Sequence, residues 1–170
     1  MTKNMNSTSI PTSSKRTRPP TRQTTISSSE AGSEFAGPPP EQLRLVFDGY
    51  CGFCARMIRW IRRIDRHDRI TALAGQANGT FEVTGVTADE SQEAVWAVTP
   101  DGRRTAGAAA IALALTTALG SRIPLIPFRL PVIARRLDRI YTWVADNRRR
   151  FRGDQPWCEA EGDGICEPDR

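Results

Sequence analysis

Two cysteines, Cys51 and Cys54, carry the sharpest chemical signal in the sequence. They lie in the segment DGYCGFC, residues 48–54, which follows a short apolar run and opens a stretch with helical spacing. Cys51 therefore falls at or just before a helix start, where unpaired backbone N–H groups and the helix dipole favour negative charge. A thiolate there is stabilised, and its pKa drops below the free value of about 8.5. Since thiolates attack disulfides, the pattern predicts thiol-disulfide exchange, with Cys51 attacking and Cys54 resolving the mixed disulfide.

Asp48 is the third candidate catalytic residue, at the end of the strand that leads into the motif. As a buried acid it can take the proton of Cys54 during resolution. The alternative is a structural turn, in which the Asp48 carboxylate only accepts bonds from backbone N–H groups. Four neighbouring residues are substrate-binding candidates: Gly49, Tyr50, Gly52 and Phe53. The two aromatic residues are expected to shape the entrance, with plain packing as the alternative for the phenylalanine, and the two glycines are most simply turn and close-approach residues.

A zinc site is the competing interpretation of the cysteine pair, because structural zinc needs four ligands such as thiolates. This alternative recruits Cys158 and Cys166, although their spacing is unlike the usual short spacing of zinc ligands. The same two cysteines can instead be free, paired with each other, or an auxiliary redox pair. The single histidine, His67, is expected on an exposed loop. The strand–turn–helix context favours redox chemistry, so we predict no metal and no cofactor.

The elements that must position the motif alternate between strands and helices. In chain order we expect a strand at 43–47, a helix at 52–65, a strand at 70–73, a short capped helix after Thr87, a strand at 94–99, its antiparallel partner at 103–105 and a helix at 107–119. Residues 121–131 contain three prolines and are expected to form an irregular connection. A last helix, 132 to about 151, places Ile133, Leu137, Ile140, Val144 and Phe151 on one side. This order predicts an α/β fold, a mixed β-sheet covered by helices with extra C-terminal helices.

Arginines cluster at the end of the last helix, at Arg148, Arg149, Arg150 and Arg152. We expect a solvated helix end, because cations are favoured near a helix C-terminus. The alternative is a non-enzymatic adaptor that binds nucleic acid or acidic proteins through these side chains. We predict no nucleic-acid partner.

Composition limits the classes of protein to consider. The chain has 170 residues, a net charge of +5, 39% hydrophobic residues and 25% charged residues, which suits one globular domain with an extension. Residues 1–40 are rich in Ser, Thr and Pro and are expected to be a disordered basic tail; 41–152 form the domain and 153–170 an acidic, cysteine-containing tail. The longest weakly polar run is too short to span a bilayer, and no secretory signal pattern is present. We expect a cytoplasmic monomer.

The DGYCGFC segment resembles the signature of the DCC family of thiol-disulfide oxidoreductases, which is named for an Asp-x-x-Cys-x-x-Cys motif. The resemblance extends over about residues 43–158, through MIRWIRRIDRHDRI, AVWAVTPDGRRTAGAAAIALAL, IYTWVADNRRRFRG and Cys158. It implies a thioredoxin-like fold and disulfide-exchange activity, with Asp48, Cys51 and Cys54 as the functional positions. The implied substrate is a protein or small-molecule disulfide or thiol, served by a reductant that the sequence does not identify.

Overall fold

A computed structural model describes residues 40–160 and Cys166, together with the backbone of Thr25–Ile26. The disordered tail predicted for residues 1–40 otherwise lies outside the described residues, as does most of the acidic tail beyond residue 160. No helix in the described part of the chain is long and apolar enough to cross a membrane.

Within these described residues, the centre of the fold is a five-stranded mixed sheet with the order β1-β5-β4-β2-β3. The strands are β1 Thr25–Ile26, β2 Leu43–Phe47, β3 Ile70–Ala74, β4 Trp96–Val98 and β5 Arg104–Ala106. β3 runs parallel to β2, whereas β4 runs antiparallel to β2 and pairs with β5 in a hairpin. β1 adds a short parallel pairing at the free edge of β5.

Helices connect and cover these strands. They are α1 Gly52–Ile64, α2 Thr80–Thr84, α3 Ala88–Glu93, α4 Gly107–Leu119, α5 Pro131–Asn147 and α6 Trp157–Ala160, with 3₁₀ helices at Ile123–Arg129 and Arg148–Arg150. The predicted α/β class is confirmed: this is a thioredoxin-like mixed sheet covered by helices, with additional C-terminal helices.

The main core lies between β2, α1 and α4. Leu45 of β2 is fully buried, and Ile58 and Ile61 of α1 pack into the same cluster as Leu113 of α4. α4 is rich in alanine, a strong helix former whose small side chain lets the helix approach its neighbours closely. The core therefore fixes the end of β2 against the start of α1, which is where the cysteine motif lies.

The inward side of the last helix differs from the prediction. α5 buries Ala134 and half-buries Leu137 and Tyr141, whereas Ile133 and Ile140 are 38% and 59% exposed. The prediction ranked positions by hydrophobicity and so placed both isoleucines inside. The side of α5 that packs against the rest of the fold is instead centred on Ala134, whose small side chain allows close helix packing. The helix also ends at Asn147 instead of continuing to residue 151.

The proline-rich connection is more regular than predicted. Residues Ile123–Arg129 form a 3₁₀ helix that buries Leu125 and Phe128 in the core. Proline has no N–H to donate but has a fixed φ that suits a helical turn, so the prolines shorten the helix without preventing it.

The capping box of α3, predicted from the sequence, is present. The hydroxyl of Thr87 accepts the backbone N–H of Glu90 at 3.2 Å, and the Glu90 carboxylate accepts the backbone N–H of Thr87 at 2.8 Å. The backbone N–H groups of Thr87 and Glu90 at this helix end are thereby satisfied.

Replacing Thr87 by alanine is expected to lower the free energy of unfolding by about 1 kcal/mol, because it leaves the Glu90 N–H without its acceptor. Urea denaturation measures the change. The control is Thr142→Ala at an exposed position of α5, which should alter the unfolding free energy by less than about 0.5 kcal/mol. Equal urea midpoints for Thr87→Ala and Thr142→Ala would contradict the prediction.

Candidate active site

Cys51 is the N-cap residue of α1. Its backbone is extended, with φ −86° and ψ 107°, and its sulfur accepts the backbone N–H of Cys54 at 3.2 Å. The turn before it is closed by a hydrogen bond from the Cys51 N–H to the Asp48 carbonyl at 3.3 Å. Sulfur therefore occupies the position that serine or aspartate oxygen usually takes at a helix start, where the unpaired N–H groups stabilise a negative charge.

The two thiols of the motif have opposite acidities. A hydrogen bond from the Cys54 thiol lowers the pKa of Cys51 to about 7; the Cys54 backbone N–H and the Arg148 charge act in the same direction, while burial and the Asp48 charge oppose them. The pKa of Cys54 is raised, first because its proton is held in the hydrogen bond to Cys51 and second because of burial. Near neutral pH, Cys51 is therefore substantially ionised while Cys54 keeps its proton.

The surroundings of the two sulfurs also differ. Cys51 opens into a surface groove of about 420 Å³, which it shares with Tyr50, Gly52 and Phe53. Cys54 instead lines an apolar cavity of about 80 Å³ beside Tyr141. The Cys51 sulfur is thus reachable from solvent, and the Cys54 sulfur lies behind it.

Asp48 is 8% exposed and fully engaged. One carboxylate oxygen accepts the backbone N–H of Tyr50 at 3.1 Å and the side-chain amide of Gln76 at 3.1 Å. The other oxygen lies 3.3 Å from the guanidinium of Arg148. The bond to Tyr50 is the turn-capping contact expected under the structural alternative, and the remaining contacts tie Asp48 to residues far away in the chain.

Arg148 points into the site. Its Nη1 lies 4.0 Å from the sulfur of Cys54, and its Nη2 donates to the carbonyl of Gln92 at 2.6 Å. The prediction of a solvated helix end is therefore wrong for this arginine. The reason is helical spacing: Arg148 follows Tyr141 by seven residues, so it continues the inward side of α5.

Gly49 serves as a packing position. Its N–H donates to the Gln76 side chain at 2.9 Å, and its carbonyl accepts the N–H of Cys158 at 3.2 Å. A Cβ at Gly49 would lie 2.5 Å from the Cys158 sulfur and 2.7 Å from the Ala74 Cβ, so only glycine fits. Gly49 is buried and does not line the described groove, so the structure agrees with its expected role as a close-approach residue and not with substrate binding.

Residues 152–158, here called the C-terminal strap, pack along the motif. The N–H of Asp154 donates to the Gly52 carbonyl at 3.0 Å, and the Asp154 carboxylate lies 3.5 Å from Arg59 of α1. The ring of Trp157 packs edge-on against Phe47 at the end of β2. The strap therefore holds both flanks of the cysteine turn.

Cys158 and Cys166 form a disulfide with their Cα atoms 5.6 Å apart. Of the alternatives left open by the sequence, this is the paired state. The four-cysteine zinc site is not formed, because two of its thiolates are consumed in this bond. Among residues 40–160 and Cys166, no group of three or more His, Cys, Asp or Glu side chains is placed to hold a metal ion.

A family model described as DCC1-like thiol-disulfide oxidoreductase matches residues 45–154, which include the motif, Arg148 and the start of the strap. The chain belongs to this family. Neither the curated proteins nor the solved structures contain a significant match to it. Membership of the DCC1-like family agrees with the resemblance seen in the sequence, and it indicates a general thiol-disulfide function for the chain.

The structure brings Asp48, Cys51 and Cys54 of this DCC1-like protein together, as the motif spacing predicts. Sequence reasoning missed Gln76 and Tyr141. Gln76 lies in a Gly-rich loop that carries no chemical pattern. Tyr141 has a detectable signal, since it falls on the inward side of α5; its hydroxyl accepts the Val95 N–H at 2.9 Å, and burial raises its pKa.

Titration of thiolate absorbance should show Cys51 ionising at a pKa of about 7. Replacing Arg148 by methionine should raise that pKa, because a positive charge beside the thiolate is lost. The control is Arg149→Met, which removes the same charge from an exposed neighbour and should shift the pKa much less. Identical titration curves for the two variants would contradict a specific action of Arg148.

Proposed function

We propose that the protein is a thiol-disulfide oxidoreductase of the protein disulfide reductase or oxidase type, with Cys51 as the nucleophile and Cys54 as the resolving thiol. The observation that carries the proposal is the unequal pair: Cys51 has a lowered pKa at the amino end of α1, and Cys54 keeps its proton one turn inside. In thiol-disulfide exchange the first cysteine attacks as a thiolate, while the second stays protonated until it resolves the mixed disulfide.

In the reducing direction the cycle consists of two thiol-disulfide exchange steps. The Cys51 thiolate attacks one sulfur of a substrate disulfide, which forms a mixed disulfide and releases the other substrate sulfur as a thiolate that takes a proton from solvent. Cys54 then loses its proton and attacks the Cys51 sulfur, which forms the Cys51–Cys54 disulfide and releases the second substrate thiolate. The substrate disulfide gains two electrons and the protein dithiol loses them, so an external dithiol must restore the protein. Oxidation of a substrate dithiol is the same sequence in reverse.

Asp48 is proposed as the group that accepts the Cys54 proton. Support comes from the Arg148 guanidinium, which lies 3.3 Å from the Asp48 carboxylate and 4.0 Å from the Cys54 sulfur, so both groups contact one cation. They also line the same cavity of about 80 Å³, which has room for a water molecule to relay the proton. Arg148 additionally stabilises the negative charge that develops on Cys54 as its proton leaves.

The groove around Cys51 is proposed as the substrate site. Tyr50, Gly52, Phe53 and Phe151 line it, and the rings of Phe53 and Phe151 lie 5.3 Å apart. Aromatic walls and a volume of about 420 Å³ suit a short peptide segment or a small molecule that presents a disulfide.

Replacing Cys54 by serine should trap the first intermediate, because Cys51 can still attack but no thiol remains to resolve. The full-length variant, mixed with oxidised glutathione, is expected to accumulate one glutathione adduct on Cys51, detected by intact-mass measurement and peptide mapping.

The control for this trapping experiment is Cys51→Ser, which removes the proposed nucleophile and should form little adduct. Adduct formation on Cys54 in that variant, as fast as on Cys51 in the first variant, would reverse the proposed roles. Absence of any adduct in both variants would sink the proposal.

Replacing Asp48 by asparagine tests the acid/base role. The amide oxygen can still accept the Tyr50 N–H, so the turn is retained, while the proton acceptor is lost. Resolution should slow by about 10² or more. The pKa of Cys51 should fall, since the Asp48 charge raises it in the native protein.

The measurement for Asp48→Asn is single-turnover release of the second substrate thiol, compared with Asp68→Asn on an exposed loop. An unchanged resolution rate, together with the lowered Cys51 pKa, would assign Asp48 to the turn alone.

A further inference from the structure

Large apolar side chains are exposed along the 3₁₀ helix Ile123–Arg129 and the outer side of α5. Ile123 is 71% exposed, and on α5 Val132, Ile140 and Trp143 are 65%, 59% and 60% exposed. Isolated exposed apolar residues are common, but neighbouring large ones mark an interaction surface.

The exposed apolar residues of α5 share one side of the helix. With 3.6 residues per turn, Val132, Trp143, Ile140 and Ile133 fall within an arc of about 100°. The buried Ala134 and half-buried Tyr141 lie on the other side and pack inward. α5 thus has two apolar sides, and the outer one stays largely exposed although its Trp143 packs against Phe151 with the rings 6.1 Å apart.

Arginines lie along and within this exposed side: at about 100° per residue Arg135 and Arg139 border the apolar arc, and Arg136 falls inside it. Arg129, Arg135, Arg136 and Arg139 are all exposed, and none of them forms an ion pair with a described acidic residue. Arginine can lay its aliphatic stem along apolar surface while its guanidinium reaches outward. The combination of an apolar strip, a tryptophan and flanking arginines is typical of a helix that lies in the interface plane of a bilayer.

Charge argues against two of the occupants available to this surface. A second copy docking through the same patch would bring two arginine clusters together, which is unfavourable. Residues 1–39 carry five basic against two acidic side chains, so this segment is also repelled: Lys3, Lys15, Arg16, Arg18 and Arg22 against Glu30 and Glu34. An anionic bilayer surface matches both the apolar strip and the positive charge.

We propose that the 3₁₀ helix Ile123–Arg129 and the outer side of α5 dock on the surface of a membrane containing anionic lipid. The apolar side chains enter the boundary between head groups and acyl chains, and the arginines contact lipid phosphates. The docking surface adjoins the groove around Cys51, because the Trp143 ring lies 6.1 Å from that of Phe151, which lines the groove. The proposal does not depend on the proposed function.

Cosedimentation of the full chain with lipid vesicles tests the proposal. Binding is expected to vesicles of phosphatidylcholine mixed with phosphatidylserine, and to be at least about tenfold weaker with phosphatidylcholine alone. The double variant Val132→Ser, Ile140→Ser should lower the partition coefficient by about tenfold or more.

The matched control is Phe81→Ser, Val83→Ser, which removes two apolar residues that are 56% and 54% exposed on α2, and it should bind as the native protein does. An unchanged Cys51 titration verifies that each variant is folded. Failure to sediment with phosphatidylserine vesicles, equal binding to both lipid mixtures, or an equal loss in the control would overturn the proposal. A concentration-dependent dimer that disappears only in the Val132, Ile140 variant, without vesicle binding, would instead assign the surface to self-association.

Discussion

Sulfur caps the first helix, and its charge is set by a small number of groups around it. The Cys54 backbone N–H and thiol both donate to the Cys51 sulfur, which lowers its pKa, while burial and Asp48 act against them. The helix start supplies donors that are unpaired in any case, and the positive charge of Arg148 adds to their effect on the thiolate. The hydrogen bond between the two thiols also keeps the proton on Cys54, and this one contact therefore defines which thiol is ionised near neutral pH.

The charges of Asp48 and Arg148 also act on the pKa of Cys51, in opposite directions. Asp48 alone would disfavour the neighbouring thiolate, but Arg148 lies 3.3 Å from its carboxylate and offsets part of that effect. A buried pair of this kind is sensitive to loss of either partner, because the remaining charge is left uncompensated. Its placement needs the end of β2, the loop with Gln76 and the end of α5 to meet, so the chemistry depends on the whole fold and not on the motif alone.

The sequence predicts the local parts of this arrangement well. Cys51, Gly52 and the apolar positions of α1 mark a helix start, and Thr87 with Glu90 marks another, because each pattern is read from residues within one turn. Contacts between distant segments have no such local pattern. Gln76 is an ordinary polar residue in a loop until it meets Asp48, and Arg148 resembles its exposed neighbours unless the inward side of α5 is known. The predicted inward side of α5 is wrong because hydrophobicity ranks Ile140 above Ala134, whereas close helix packing favours the smaller residue.

The order in which the chain is made has a consequence for the strap. Cys51 and Cys54 leave the ribosome about a hundred residues before Cys158, which at about 5–20 residues per second corresponds to roughly 5–20 s. During that interval the thiols of Cys51 and Cys54 are exposed on the nascent chain without the strap, whose backbone later donates hydrogen bonds to Gly49 and Gly52. Cys158 and Cys166 emerge last and are close in sequence, so each is the nearest partner of the other once an oxidant takes two electrons from the pair. Late pairing between near neighbours limits the chance that either of them captures a cysteine of the motif.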